Sequence, residues 1–230
     1  MCIPARERVL RMRSYLDFLM DRYPDILEKM WEHLTISGMA VLLGCAAAIP
    51  LGVYLSGKRP AWLRSAVFGA ANIFQTVPSL AMLAILIPLL GIGFRPAVFA
   101  LFLYSLLPIL RNTYAGFRSV DEGVLEAARG MGLSSWQRLI YIQFPLAFPY
   151  LMSGIRVTTV YVISWTTLAT LIGAGGLGEF IFSGLAVNRK ELVFTGAAAA
   201  ILLALAADFV LGALARRSGK LSNHNGGMTD

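Results

Sequence analysis

Five stretches of the chain are almost free of charge. Leu34–Gly57 is uncharged for 24 residues, Ser65–Phe94 for 30 and Pro96–Leu110 for 15, the last continuing past Arg111 to Phe117. Val157–Gly178 adds 22, and Leu192–Ala215 carries only Asp208. A helix needs about 20 apolar residues to cross a hydrocarbon layer about 30 Å thick. Each run therefore suffices for one crossing and none for two. The expected fold is an all-α membrane protein with spans near 34–57, 65–94, 96–117, 154–173 and 192–215, and a sixth span by another counting. Pro78 and Pro88 in the second run predict a kinked single helix, tolerated where neighbouring helices satisfy the freed backbone groups.

Ahead of the first run, residues 1–33 form an arm of mixed character. Between residues 14 and 32, Tyr15, Phe18, Tyr23, Leu27 and Trp31 alternate with charges. That pattern fits an amphipathic helix lying along the membrane interface and broken near Pro24, or an ordinary polar lead-in. Arg6, Arg8, Arg11 and Arg13 lead into this stretch and not into an apolar core, so a cleavable signal is not expected.

Composition agrees that the solvent is lipid. Hydrophobic residues make up 57% of the chain and charged ones 14%, with a mean hydropathy of +0.67; soluble domains carry about 25% charged residues. Cys2 and Cys45 show neither a disulfide pattern nor redox or zinc spacing. The basic residues fall unevenly. Lys58, Arg59 and Arg64, then Arg111, Arg118, Arg129 and Arg138, then Arg216, Arg217 and Lys220 share one side, against Arg95, Arg189 and Lys190 on the other. Cytoplasmic loops carry the excess of Lys and Arg, so the 118–145 loop and the tail 216–230 are expected in the cytoplasm. The net charge of +7 then describes loops facing anionic lipid, not a nucleic-acid surface.

The loop between the third and fourth spans is too long for a simple connector. Asp121, Glu122 and Glu126 open a helix that Gly130 and Gly132 break, and Ser134 and Ser135 can cap a second helix ending before Pro145. Such a hairpin is a rigid protrusion suited to seat in a partner's groove.

Here the residues carry a resemblance. Glu126-Ala127-Ala128, three residues, Gly132, nine residues, then Ile142-x-Phe144-Pro145 resembles the EAA signature of permease subunits of bacterial ATP-binding-cassette importers, with Phe144 where leucine is usual. The resemblance implies the five-span, MetI-like type I importer permease fold over 34–215. It also implies that Glu126, Ala127, Ala128, Gly132, Leu133, Ser134 and Ser135 form a coupling loop seated on a separate ATPase, which binds the ATP and Mg. The segments at 33–53, 72–93, 103–117 and 154–185 are further similar to permeases for osmoprotectants: glycine betaine, carnitine, choline and related quaternary ammonium compounds. That implies a bacterial inner-membrane location, a second permease chain, identical or a sister, and a separate substrate-binding protein.

Candidate sites follow. Gly173, Gly175, Gly176 and Gly178 match G-x-G-x-x-G, but no strand precedes them, so a dinucleotide site is rejected. A non-helical turn at the outer mouth remains, serving packing or a gate. No P-loop is present; Gly57-Lys58 and Gly219-Lys220 are isolated pairs. His33 and His224 are the only histidines, so no metal site is expected and no catalytic residues stand out. Arg111, Arg156 and Asp208 lie where charge is costly, and Asp208 is expected to pair with Arg156 or Arg111, as a structural ion pair and not a proton relay. Quaternary ammonium groups are recognised by aromatic faces; the candidates are Phe74, Tyr104, Tyr161 and Trp165, against the ordinary reading of membrane aromatics as packing. Gly196, Ala200 and Ala204 form a small-residue stripe for helix packing, within or between subunits. Rival readings are the same machine with another cargo such as methionine, an ATP-independent secondary carrier, and a membrane enzyme.

Overall fold

The structure is a computed structural model that describes residues 5–223, with side chains described from Tyr15 to Arg216 except Leu16. Cys2, His224 and the rest of the tail from 224 onward lie outside the described residues. Every regular element among those described is helical. The chain runs through α1 (Ala5–Ser56), α2 (Ala61–Thr76), α3 (Ser79–Leu90) and α4 (Phe94–Arg118), then the short α5 (Glu122–Gly130) and α6 (Ser135–Arg138). It ends with α7 (Phe144–Ala169), α8 (Gly178–Ala186) and α9 (Lys190–Asn223). Four stretches are long and apolar enough to cross a membrane: 17–56, 94–118, 135–172 and 190–216. The fifth crossing is α2 and α3 together. Ser56 and Gly57, just before α2, line one cavity with Arg129 and Arg138 of the hairpin, while Gly93, just after α3, donates to the Ile172 carbonyl at the far end of α7 over 2.8 Å.

α4 is the centre of the bundle. Its residues from Pro96 to Phe117 are largely buried, between α1 and α7 on one side and the α2–α3 pair on the other. Ile36, Ala40, Val41, Val98, Leu101 and Val162 form the α1–α4–α7 core. α9 lies at the edge and keeps Phe194, Ile201, Leu205, Phe209 and Leu214 exposed. A helix apolar on its outer face is stable only where that face meets lipid or another chain.

Three local expectations are corrected. The second run is not one kinked helix: α2 and α3 meet at 99°, because Pro78 ends hydrogen bonding and pushes Val77 into extended backbone (φ −69°, ψ 128°). The break expected near Pro24 is absent, and α1 is continuous through it. Pro24 is exposed, so the carbonyl it orphans can turn to solvent. The second hairpin helix does not stop before Pro145. It widens into a π-helical turn at Leu139–Gln143 and runs on into α7, the irregular turn falling directly before Pro145, where the regular bonding pattern would lose an N–H.

The α2–α3 bend is held by α4. Pro108 has no N–H, so the Tyr104 carbonyl four residues back loses its helical donor. Gln75 of α2 supplies one, its Nε2 donating to that carbonyl over 2.9 Å. The Tyr104 hydroxyl donates in return to the Val77 carbonyl at the bend, over 2.7 Å.

Candidate functional site

At one end of the bundle the 118–145 loop is a capped hairpin. Asp121 caps α5, its carboxylate accepting from the Val124 N–H at 3.2 Å. The Gly132 N–H donates to the Arg129 carbonyl at 2.9 Å and the Leu133 N–H to the Ala128 carbonyl at 3.1 Å. Those two bonds are a Schellman end, which needs a left-handed residue after the helix, and Gly132 supplies it at φ +81°. The spacing from Ala128 to Gly132 is thus the spacing of the motif that stops α5 and turns the chain. Ser134 then opens α6 with a reciprocal capping box to Gln137, and Arg138 closes the turn by donating to the Leu133 carbonyl at 2.6 Å. Ala128 is fully buried and Leu133 half-buried, while Glu126, Ala127, Gly132, Ser134 and Ser135 are exposed. Met131 and Trp136 are 71% and 68% exposed, an apolar tip on a rigid polar loop.

The glycine turn sits at the opposite end, clamped by α1. Gly173, Gly175 and Gly176 have φ of +74°, +81° and +88°, a conformation side chains resist; Gly178 is helical and begins α8. The Gly176 N–H donates to the Glu32 carboxylate at 2.9 Å and the Leu177 N–H to His33 Nδ1 at 3.3 Å. A side chain at Gly175 would run into the Glu32 carboxylate. Because Nδ1 accepts, the ring proton sits on Nε2, which donates to the Ile163 carbonyl at 2.8 Å. Lys29 bridges Glu32 at 3.1 Å and Glu179 of α8 at 2.7 Å. Sequence reading passed over Glu32, His33 and Glu179 here, since His33 and Leu177 are 144 positions apart and no local pattern joins them.

His33 is fully buried. Leucine there keeps the bulk but leaves the Leu177 N–H and the Ile163 carbonyl without their partner. At about 1–3 kcal/mol for a buried group left unpaired, the melting temperature of the detergent-solubilised protein is expected to fall by several degrees. An unchanged melting temperature would show that the ring is not what holds the turn.

Between the ends, Arg156 of α7 and Asp208 of α9 form a bidentate pair, Nε to Oδ1 at 3.0 Å and Nη2 to Oδ2 at 2.8 Å. A methyl group at Gly212, one turn beyond Asp208, would lie 3.0 Å from the guanidinium carbon, so the missing side chain makes room for the pair. Arg111 is exposed on α4 and joins no ion pair among the described residues. The small-residue stripe of α9 faces inward at Gly196, which packs on Phe180 and Ile181 of α8.

The aromatic candidates divide. Phe74, Tyr104 and Trp165 share one apolar cluster with Met82, Leu83 and Leu86. Tyr104 is 4% exposed, its ring 4.9 Å from Trp165. Trp165 stacks in turn on Tyr161 at 6.0 Å and 17°, and Tyr161 is 53% exposed. Tyr150, Ser153, Val157, Tyr161 and Ser164 are exposed along the same helix. A stripe carrying two serines and two tyrosine hydroxyls is more polar than a lipid-facing helix surface tends to be.

The family model of binding-protein-dependent transport system inner membrane components matches residues 48–220. A carnitine transport permease protein of Listeria monocytogenes is 47% identical over 206 residues, covering 90% of this chain and 94% of the relative. A glycine betaine/carnitine/choline transport system permease protein of Bacillus subtilis is 46% identical with the same coverage. An osmoprotectant import permease protein of Salmonella typhimurium is 38% identical over 85% of this chain and 93% of its own length. Among solved structures, an inward-facing methionine ABC transporter aligns with TM-score 0.76 at 23% identity, over 84% of this chain and 95% of the other, a likeness of fold.

Proposed function

Because the chain belongs to the family of binding-protein-dependent transport system inner membrane components, we propose that it is the permease subunit of an ATP-driven importer of quaternary ammonium osmoprotectants. Glycine betaine, carnitine and choline are the cargo class, as the names of relatives 45–47% identical suggest. The carrying observation is the hairpin. A bundle that needs only to hold solute has no use for a doubly capped protrusion with an exposed apolar tip, whereas a subunit moved by another protein needs a stiff lever. In this reading the hairpin and the C-terminus lie in the cytoplasm, where the basic loops put them. Residues Glu126 to Ser135 seat on a separate ATPase subunit, which holds ATP and Mg and does the hydrolysis. A second permease chain completes the path, and a separate binding protein delivers cargo to the end marked by the glycine turn. That turn, pinned by Glu32 and His33, is rigid against α1 and suits a fixed rim better than a mobile gate.

The pair of exposed Tyr161 and half-buried Trp165 supports the cargo class. A quaternary ammonium ion has no N–H to donate and is held by ring faces, at about 0.5–2 kcal/mol each, weak enough to release it during transit. The test is uptake by vesicles holding the permease with its ATPase and binding protein. ATP-dependent accumulation of labelled glycine betaine is expected, undiminished by excess methionine. Methionine accumulation instead would reassign the cargo, and betaine uptake without ATP would make the chain a secondary carrier.

A further inference from the structure

The sequence segment Gln75-Thr76-Val77-Pro78 lies at the α2–α3 break, and the cation path does not by itself explain its bonds. Gln75 and Tyr104 form a two-way clasp: the Gln75 amide donates to the Tyr104 carbonyl at 2.9 Å, and the Tyr104 hydroxyl donates to the Val77 carbonyl at 2.7 Å. One ring of that clasp also packs on Trp165, 4.9 Å between centroids. Trp165 also stacks on the exposed Tyr161. Three elements therefore meet at Tyr104: the bend of α2–α3, the turn of α4 that Pro108 leaves one donor short, and the aromatic pair of α7.

We propose that Gln75 and the Tyr104 hydroxyl are positioning residues for the Tyr161–Trp165 cation platform, fixing the ring of Tyr104 behind Trp165 by tying it to the α2–α3 bend. Tyr104 touches no cargo in this arrangement, since it is buried. It acts through Trp165. The hydroxyl bond fixes the ring's tip against the α2–α3 bend and the Gln75 bond fixes the backbone that carries it; without the clasp the ring can tilt, and the indole packed against it at 59° shifts too. The proposal rests on the quaternary ammonium reading for its effect on cargo, but not for its effect on Trp165.

Two variants separate positioning from simple satisfaction of buried groups. Tyr104→Phe keeps the ring and removes only the bond to Val77. Gln75→Leu removes the donor to the Tyr104 carbonyl, and Pro108→Ala in that background returns a helical N–H to the same carbonyl without rebuilding the tie to α2. Trp165 is read by acrylamide quenching in nanodiscs, in a chain whose other three tryptophans, Trp31, Trp62 and Trp136, are phenylalanine. Cargo is read as KM and maximal rate of glycine betaine uptake by the full complex with its native tryptophans. Tyr104→Phe is expected to raise Trp165 quenching about twofold and KM about fivefold, the worth of one lost hydrogen bond at about 1 kcal/mol, with the maximal rate little changed. Gln75→Leu should do the same and also lower the melting temperature. Adding Pro108→Ala should restore the melting temperature but leave quenching and KM raised.

If Pro108→Ala restored all three, Gln75 would be only a donor to a stranded carbonyl and the proposal would be overturned. Unchanged Trp165 quenching in Tyr104→Phe would overturn it too, as would raised quenching with an unchanged KM. Should the wild-type complex take up no betaine, the cargo reading fails while the quenching result still decides whether the clasp positions Trp165.

Discussion

Gly132→Val is expected to abolish cargo uptake while ATP hydrolysis by the assembled complex continues. Gly132 stands at φ +81°, where an L side chain costs about 1–2 kcal/mol and a β-branched one more. No atom lies within 4 Å of where its Cβ would be, so the penalty is conformational and not a clash. The chain can escape it only by leaving the left-handed region, which breaks the Gly132-to-Arg129 and Leu133-to-Ala128 bonds and turns α6 away from α5. The hairpin lies at the bundle's end, so the spans still pack and the subunit still inserts. What fails is the fixed angle between the two halves of the lever. Gly132→Asn, which tolerates the same conformation better, should keep a substantial part of the uptake. Uptake and phosphate release measured together on one vesicle preparation give the coupling ratio; wild-type coupling in the valine variant would remove the hairpin's mechanical role.

The second large effect is expected at the charge pair between α7 and α9. Asp208→Ala leaves the Arg156 guanidinium inside a membrane-spanning helix with no counter-charge, and such residues persist in membranes chiefly by pairing. The pair also ties the edge helix α9 to α7, beside the packing of its N-terminal half on α8. Folded protein recovered as one sharp peak on size-exclusion chromatography should drop to a small fraction of wild type. Swapping the charges, Arg156→Asp with Asp208→Arg, should recover part of it. Equal recovery of folded protein from Asp208→Ala and wild type would show that the pair is dispensable for packing.

Much of the fold was legible because lipid imposes one dominant rule: an uncharged run must be a helix, since no water is available to satisfy an open backbone. That rule is why a helical bundle of about five crossings could be read from the charge-free runs, while the hairpin came from its own signals: the spacing from Ala128 to Gly132 reads as a helix stop because Schellman geometry needs glycine there. The rule is silent about direction within a run. It could not show that Pro78 turns α2–α3 through 99° while Pro24 leaves α1 unbroken, because the outcome depends on whether tertiary partners, here Gln75 and Tyr104, are present to hold a bend. Helix α8 was missed for a related reason: nine residues after a glycine turn are too few to show a period. The clamp of Glu32 and His33 on the glycine turn joins residues 144 apart, and no spacing rule reaches so far. Arg156 and Asp208 were named as possible partners because charge inside a membrane demands company; that Arg111 stands apart depends on which face of α4 it occupies.

The coupling role of the hairpin is tested most directly by a photo-activated cross-linker placed at Trp136, the exposed tip of the lever, in the intact complex purified from membranes. Irradiation should join this chain to the nucleotide-hydrolysing subunit from position 136, while the same cross-linker at Trp31, on α1 near the opposite end, should not reach that subunit. An absence of any adduct from position 136, or an equal adduct from position 31, would contradict the account.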